Sequence, residues 1–255
     1  MNIIGIIPAR MASSRFPGKP LAKICGVPMI GHVFSRSKMC KSLREVYVAT
    51  CDEEIAAYTR SINGKAIITS EGHERASDRT AEAMLKIENQ TNNKIDIVVM
   101  IQGDEPMLVP EMIDLAVKPL LEDSGVSVVN LMKEIRNKEE HEDPNCIKVV
   151  VDNKDFALYF SREPIPSRKK YADNVVMFKQ ICIIPFRRDF LLTFNRLKPT
   201  ALEKIESIDM LRVLGYGHKI KMVRSSFDTY SVDTRQDLEK VEKIMLNDKL
   251  LLKYK

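Results

Sequence analysis

Residues 2–20 read NIIGIIPARMASSRFPGKP, and the join at Pro8 between an apolar run and a polar, basic loop decides how the rest of the chain is read. Asn2 to Pro8 is short, isoleucine-rich and uncharged, which predicts a buried strand rather than a helix. Comparable runs recur at Glu45 to Thr50, Ala66 to Thr69 and Ile95 to Ile101. Between them, Pro28 to Cys40 places Met29, Ile30, Val33 and Phe34 at helical spacing. Asp52 stands where it can cap a second helix running to about Ser61, with Asn63-Gly64 as its stop. Strand and helix alternating over the first 120 residues predict βαβ units with right-handed crossovers, hence an α/β fold with a Rossmann-like, mostly parallel sheet.

Beyond that point the alternation loosens. Val126 to Met132, Ile147 to Val151 and Phe156 to Phe160 read as strands, the last two forming a hairpin turned at Asp152-Asn153-Lys154. A polar loop from Glu163 to Asn174 leads to a strand from Gln180 to Ile184 and to helices near Ala201 to Leu214 and Arg235 to Leu246. The expected organisation is one domain over residues 1–255, interrupted by a smaller β-rich insertion at about 126–190.

Composition bounds the function. The chain has 255 residues, 44% hydrophobic and 29% charged, with no apolar run long enough to span a bilayer and no basic leader, so a cytoplasmic protein without membrane insertion is expected. Five scattered cysteines without a CxxC pair suggest neither a disulfide framework nor a zinc site. A net charge of +5 over a mixed surface does not call for nucleic acid as a partner but suits small anions. The four histidines include His32, His141 and His218, read as surface or helix-face residues, and the thirteen methionines read as core filling.

The chemistry concentrates in the loop after the first strand. Arg10, Arg15 and Lys19 bring three cations, Ser13 and Ser14 two hydroxyls, and Gly18 a glycine, all at a strand's carboxyl end where open α/β sheets bind ligands through loop backbone N–H groups. Arginine forks fit phosphate oxygens, and a lysine supplies a compact charge. Neither GxxxxGK[ST] nor GxGxxG is present, so the loop is no P-loop or dinucleotide fingerprint. Asp104 follows the strand ending at Ile101 within Gln102-Gly103-Asp104-Glu105-Pro106. Asp233 lies just before the last helix, as either an N-cap or a ligand. Glu105 reads as structural.

The run IIPARMASSRFPGKPL resembles the signature of the sugar nucleotidyltransferases that activate 3-deoxy-manno-octulosonate (Kdo) with CTP. Further blocks resemble that family in order: QGDEPM at 102–107, DPNCIKVV at 143–150, ALYFSR at 157–162, Pro164 to Pro166, LEKIESIDMLRVLGYGHKI at 202–220 and SVDT at 231–234. The resemblance implies the nucleotide-diphospho-sugar transferase type of fold and a homodimer, with the insertion serving sugar binding and dimerisation. It implies CMP transfer from CTP to a Kdo-type sugar acid for bacterial surface polysaccharide, with release of pyrophosphate. Mg²⁺ would be held by Asp104 and Asp233, with Arg10, Arg15 and Lys19 completing the catalytic set. Nucleotide contacts would come from Ala9, Arg10, Ser13, Ser14, Arg15, Lys19, His73, Ser77, Arg79 and Gln102.

On the sugar side the resemblance implies Gln102, Arg162, Gln180, Ile184 and Asp209. Here the chain departs from the family's pattern: Gln180 stands for His, Ile184 for Tyr and Asp209 for Glu, while Arg75, Ala76 and Ser77 replace a Ser, Gly and Thr near the base. An amino-substituted Kdo, 8-amino-3,8-dideoxy-manno-octulosonate, or another nonulosonic-type acid is therefore an alternative substrate. Two further rivals are a glycosyltransferase on a related fold, which usually carries an Asp-x-Asp absent here, and a non-catalytic nucleotide or sugar sensor, which would have lost the cations or acids that this chain keeps.

Overall fold

The computed structural model describes residues 1–12, 15–167 and 176–255. They form two compact units, Met1–Asp114 with Asp228–Lys255, and Leu115–Phe227.

The first unit is built on β1 (Ile3–Ala9), followed by a small hairpin of β2 (Lys23–Ile24) and β3 (Val27–Pro28), then α1 (Met29–Lys38), β4 (Glu45–Thr50), α2 (Glu53–Ser61), β5 (Lys65–Ile68), α3 (Ala76–Thr91) and β6 (Ile97–Ile101). Strands β6, β1, β4 and β5 lie side by side in that order, all parallel. Ile3, Ile4, Ile6 and Ile7 of β1 and every residue of β6 are buried, the unbroken apolar pattern of a sheet covered on both faces. At the end of α2, Asn63 takes a left-handed φ of 56°. A Cβ on Gly64 would lie 2.8 Å from the Thr59 carbonyl oxygen, so only glycine fits there. Asp52 occupies the N-cap position but makes no side-chain cap bond. Its carboxylate instead accepts from Met11 N at 2.8 Å, a correction to the capping role expected for it.

Helix α4 (Pro110–Glu122) carries the chain into the second unit, which runs through β7 (Val129–Glu134), α5 (Lys138–Glu142), β8 (Lys148–Val151), β9 (Ala157–Ser161), β10 (Phe178–Ile181), β11 (Ile183–Arg187), α6 (Arg188–Arg196), α7 (Ala201–Glu206), α8 (Met210–Gly215) and β12 (Lys221–Arg224). Its sheet has the order β12-β7-β10-β8-β9; β12 is parallel to β7 and the other pairs are antiparallel. The strand expected from Gln180 to Ile184 is two strands, because the chain changes partners at Cys182: β10 pairs with β7 and β8, whereas Phe186 bridges to Val128. The single helix expected from Ala201 to Leu214 is likewise two. Ser207 takes a left-handed φ of 53°, and the break lets buried Arg212 of α8 fold back on buried Glu203 of α7 through two bonds of 2.8 and 2.5 Å.

The chain returns to the first unit with α9 (Arg235–Met245), whose Val241 and Met245 pack in one apolar cluster with Phe16, Ile24, Met29 and Val232. The C-terminal residues are pinned to α1. Buried Arg36 pairs with Asp248 and donates to Tyr254 Oη at 2.9 Å, and His32 bonds Tyr254 Oη and the Ile24 carbonyl, both at 2.8 Å. Burial lowers the pKa of His32. His141 is also buried, its Nε2 3.2 Å from the Ile165 carbonyl oxygen. Both lie on helices but neither is at the surface, because their partners are backbone carbonyls and, for His32, a hydroxyl more than 200 residues away, which no local pattern announces.

Candidate active site

A cleft of about 320 Å³ opens in the first unit at the carboxyl ends of β1 and β6. Its walls are Ala9 at the end of β1, the loop that follows it (Arg10, Ala12, Arg15, Lys19), the segment 73–76 with Arg79, Gln102 to Asp104, and Asp233. Ser13 and Ser14, expected to contact nucleotide, lie outside the described residues.

The basic loop is held from several sides. Met11 N is tied to Asp52, Gly18 N donates to Met11 O at 3.1 Å, and the left-handed φ of 74° at Gly18 closes that turn. Phe16 plugs into the apolar cluster, with the Arg235 guanidinium 5.7 Å from its ring centroid. These ties set the backbone from which the loop cations reach the cleft.

At the centre stands Lys19. Its Nζ donates to Asp104 Oδ2 at 3.0 Å, to the Val232 carbonyl at 3.0 Å and to Asp233 Oδ1 at 3.3 Å, while Arg15 Nη2 reaches the same Asp233 oxygen at 2.9 Å. Burial pulls the Lys19 pKa down, but the two carboxylates outweigh it and hold it above the ordinary lysine value. The acids are brought together by a backbone stitch, Val232 N donating to Asp104 O at 2.9 Å. Asp233 is not the helix cap. Thr234 is, in a capping box with Asp237, which leaves the Asp233 carboxylate for the cleft.

Arg10 Nη1 donates to the His73 carbonyl at 3.4 Å, and His73 Nε2 to Glu82. Arg79 is 2% exposed, donates from Nη1 to Thr69 Oγ1 at 2.5 Å, and has no partner for Nη2 among the described residues. Ser77 is fully buried in the first turn of α3 and does not line the cleft, a correction to its expected role as a nucleotide contact; the helix turns its side chain inward.

Among the described residues no three His, Cys, Asp or Glu side chains stand together as a metal cage. The Asp104 and Asp233 pair, already sharing one positive centre, is the donor set that fits a hard divalent ion completing its shell with water and phosphate.

Arg162, Gln180, Ile184 and Asp209 belong to the second unit. Arg162 is the most constrained: Nε donates to the Glu206 carbonyl at 2.7 Å, Nη1 to the Pro144 carbonyl at 2.9 Å, and its backbone N to the Glu206 carboxylate at 2.8 Å. Gln180 is half-buried and donates from Nε2 to Asn130 Oδ1 at 2.5 Å. Asp209 is half-buried at the N-cap position of α8. Ile184 is 1% exposed, a core residue of β11 with no surface to offer a sugar, which corrects the contact expected of it.

Sheet, loop and paired acids define a nucleotidyltransferase of the nucleotide-diphospho-sugar transferase fold. Residues 4–220 match the family model described as Cytidylyltransferase. The chain is 44% identical over 251 residues to the 3-deoxy-manno-octulosonate cytidylyltransferase of Geotalea uraniireducens, covering 94% of this chain and 98% of that one. A solved structure of CMP:2-keto-3-deoxy-manno-octonic acid synthetase complexed with CTP superimposes with a TM-score of 0.89 at 36% identity, over 96% of this chain and 99% of the other. The fold is shared more widely, with a TM-score of 0.64 at 13% identity to a 4-diphosphocytidyl-2C-methyl-D-erythritol synthase from Anaerococcus prevotii. The chain belongs to the 3-deoxy-manno-octulosonate cytidylyltransferase family.

Sequence reading missed parts of the site. The Val232 carbonyl on Lys19 and the Asp52 carboxylate under Met11 carry no signal, being contacts of backbone and of distant residues. Arg75 and Ala76 also line the cleft, and in the sequence they stand out only as departures from a motif.

Proposed function

We propose that this chain transfers CMP from CTP to the anomeric hydroxyl of Kdo and releases pyrophosphate. The observation that carries this reading is the convergence of Asp104 and Asp233 on Lys19, with Arg15 alongside, inside a cleft at the strand carboxyl ends. The sugar hydroxyl oxygen forms a bond to the α-phosphorus and the bond from that phosphorus to the bridging oxygen of the β-phosphate breaks. Its electron pair leaves on pyrophosphate and the hydroxyl proton passes to solvent water.

Arg10, Arg15 and Lys19 orient the triphosphate and offset charge on the leaving group. His73 and Arg79 line the cleft and would contact the nucleotide. The buried Arg79 Nη2, which has no partner among the described residues, is a donor that a nucleotide acceptor would satisfy. Arg162 serves the sugar acid by pairing with the acid's carboxylate. Asp104 and Asp233 would hold Mg²⁺. When bound, the ion supplies charge neutralisation at phosphate and acidifies the attacking hydroxyl.

The product is an activated sugar for bacterial surface polysaccharide or lipopolysaccharide synthesis, placing the enzyme in the cytoplasm. Among the described residues no helix is long and apolar enough to cross a membrane. A homodimer is supported by exposed apolar side chains on the second unit, Leu158 at 60% and Ile205 at 77%, and is checked by light scattering.

Pyrophosphate release tests the reaction. With CTP, Mg²⁺ and Kdo, release depends on all three; with no acid, or with a nucleotide sugar in place of CTP, there is none. The panel includes the 8-amino analogue and other nonulosonic-type acids, because Gln180 and Asp209 depart from the family's His and Glu. Absence of release with every acid would overturn the reading.

A further inference from the structure

We propose that Lys19 is the resident counter-ion of the Asp104 and Asp233 pair, and that it trades this place with a divalent cation when a nucleoside triphosphate enters. Metal and nucleotide then bind synergistically. The inference rests on the reading that these two acids hold the metal, and adds to it how the metal site is kept before substrate arrives.

An ammonium has three hydrogens, and the structure gives Lys19 Nζ three acceptors at 3.0, 3.0 and 3.3 Å. None is left for a phosphate while these bonds persist. Two of the acceptors are the carboxylate oxygens a metal would take, and a dication brought between them would meet the ammonium at contact distance, where like charges repel strongly in a partly buried site. Conversely, two carboxylates this close without a cation would repel each other, so something positive must stand there. Lysine can do this and still leave, because its four-carbon stem is flexible and its charge is a point rather than a fixed fork.

The ligands need not move with it. Asp104 is stitched to Val232 through the backbone, and Asp233 is kept facing the cleft by the capping box of α9 and by Arg15. A triphosphate offers Lys19 new anionic acceptors, and the vacated oxygens then accept the cation. By linkage, each ligand raises the affinity for the other by the same factor.

Mn²⁺ serves as the probe, with free ion followed by electron paramagnetic resonance in protein lacking nucleotide and sugar. Wild type is expected to bind weakly and Lys19→Met about tenfold tighter, a coupling of ordinary size. Lys19→Gln repeats the measurement should the methionine variant fold poorly, with circular dichroism as the check. Asp104→Asn is the control. Should Lys19→Met and Lys19→Gln bind Mn²⁺ no tighter than wild type while Asp104→Asn abolishes binding to Lys19→Met, the exchange is refuted and the metal site stands. Should Asp104→Asn leave binding untouched in Lys19→Met, the metal assignment fails and takes the exchange with it.

Discussion

Asp233 and Thr234 are adjacent, yet they do separate jobs: Thr234 satisfies the backbone of α9 and Asp233 faces Lys19 and Arg15. The two can therefore be separated by mutation. Asp104→Asn and Asp233→Asn should each cut turnover by about 10²-fold or more with the far-ultraviolet spectrum unchanged, as expected for loss of charge stabilisation at phosphorus. Thr234→Ala should cost about 1 kcal/mol of stability on thermal unfolding and far less activity. Undiminished turnover in both acid variants would remove these residues from the chemistry.

Glu82, under His73, gives a pH dependence. Burial raises its pKa, but Lys86, the Ser70 N–H and His73 outweigh that and bring it to about 2. A depressed carboxylate pKa stabilises the fold above the unfolded value near 4.5, and that stabilisation is lost as pH falls toward about 2. The melting-temperature gap between wild type and Glu82→Gln should be full at neutral pH and close over that window. A gap that stays constant through acid would exclude this role.

Elements α7 and α8 show what their sequence hides. The run from Ala201 to Leu214 has helical composition throughout, and nothing in it marks Ser207 as left-handed; the break there goes with the buried pairing of Glu203 with Arg212. Glu203→Ala should therefore destabilise by about 3–5 kcal/mol in denaturant melts, since it strands a buried guanidinium. The next residue of the pattern that matters is Glu206, whose carboxylate accepts from Ser161 Oγ at 2.7 Å and Arg162 N at 2.8 Å while its carbonyl takes Arg162 Nε. It positions Arg162. Glu206→Gln should raise KM for the sugar acid several-fold and leave KM for CTP unchanged; equal changes in both would argue for general damage instead.

At the scale of the molecule, the parts legible in sequence are those governed by short-range rules. Buried parallel strands such as β1 and β6 announce themselves as apolar runs, and the loop cations announce themselves by density after a strand. Parts governed by distant partners do not. Strand β12 is short and half-buried, and it exists because β7 offers it an edge. Arg36 and His32 look like surface residues of an amphipathic helix, but the C-terminal segment covers them. Ile184, placed beside the sugar by motif alignment, is a core side chain. The site itself was legible as separate motifs, while its assembly around Lys19 needed the stitch between Val232 and Asp104.

That assembly is tested most directly by anomalous diffraction from crystals grown with CTP and Mn²⁺. The account predicts one manganese peak bonded to a carboxylate oxygen of Asp104, to one of Asp233 and to phosphate oxygens of the same CTP, with Lys19 moved onto the triphosphate. A nucleotide seated in the cleft with its manganese away from either acid would contradict it.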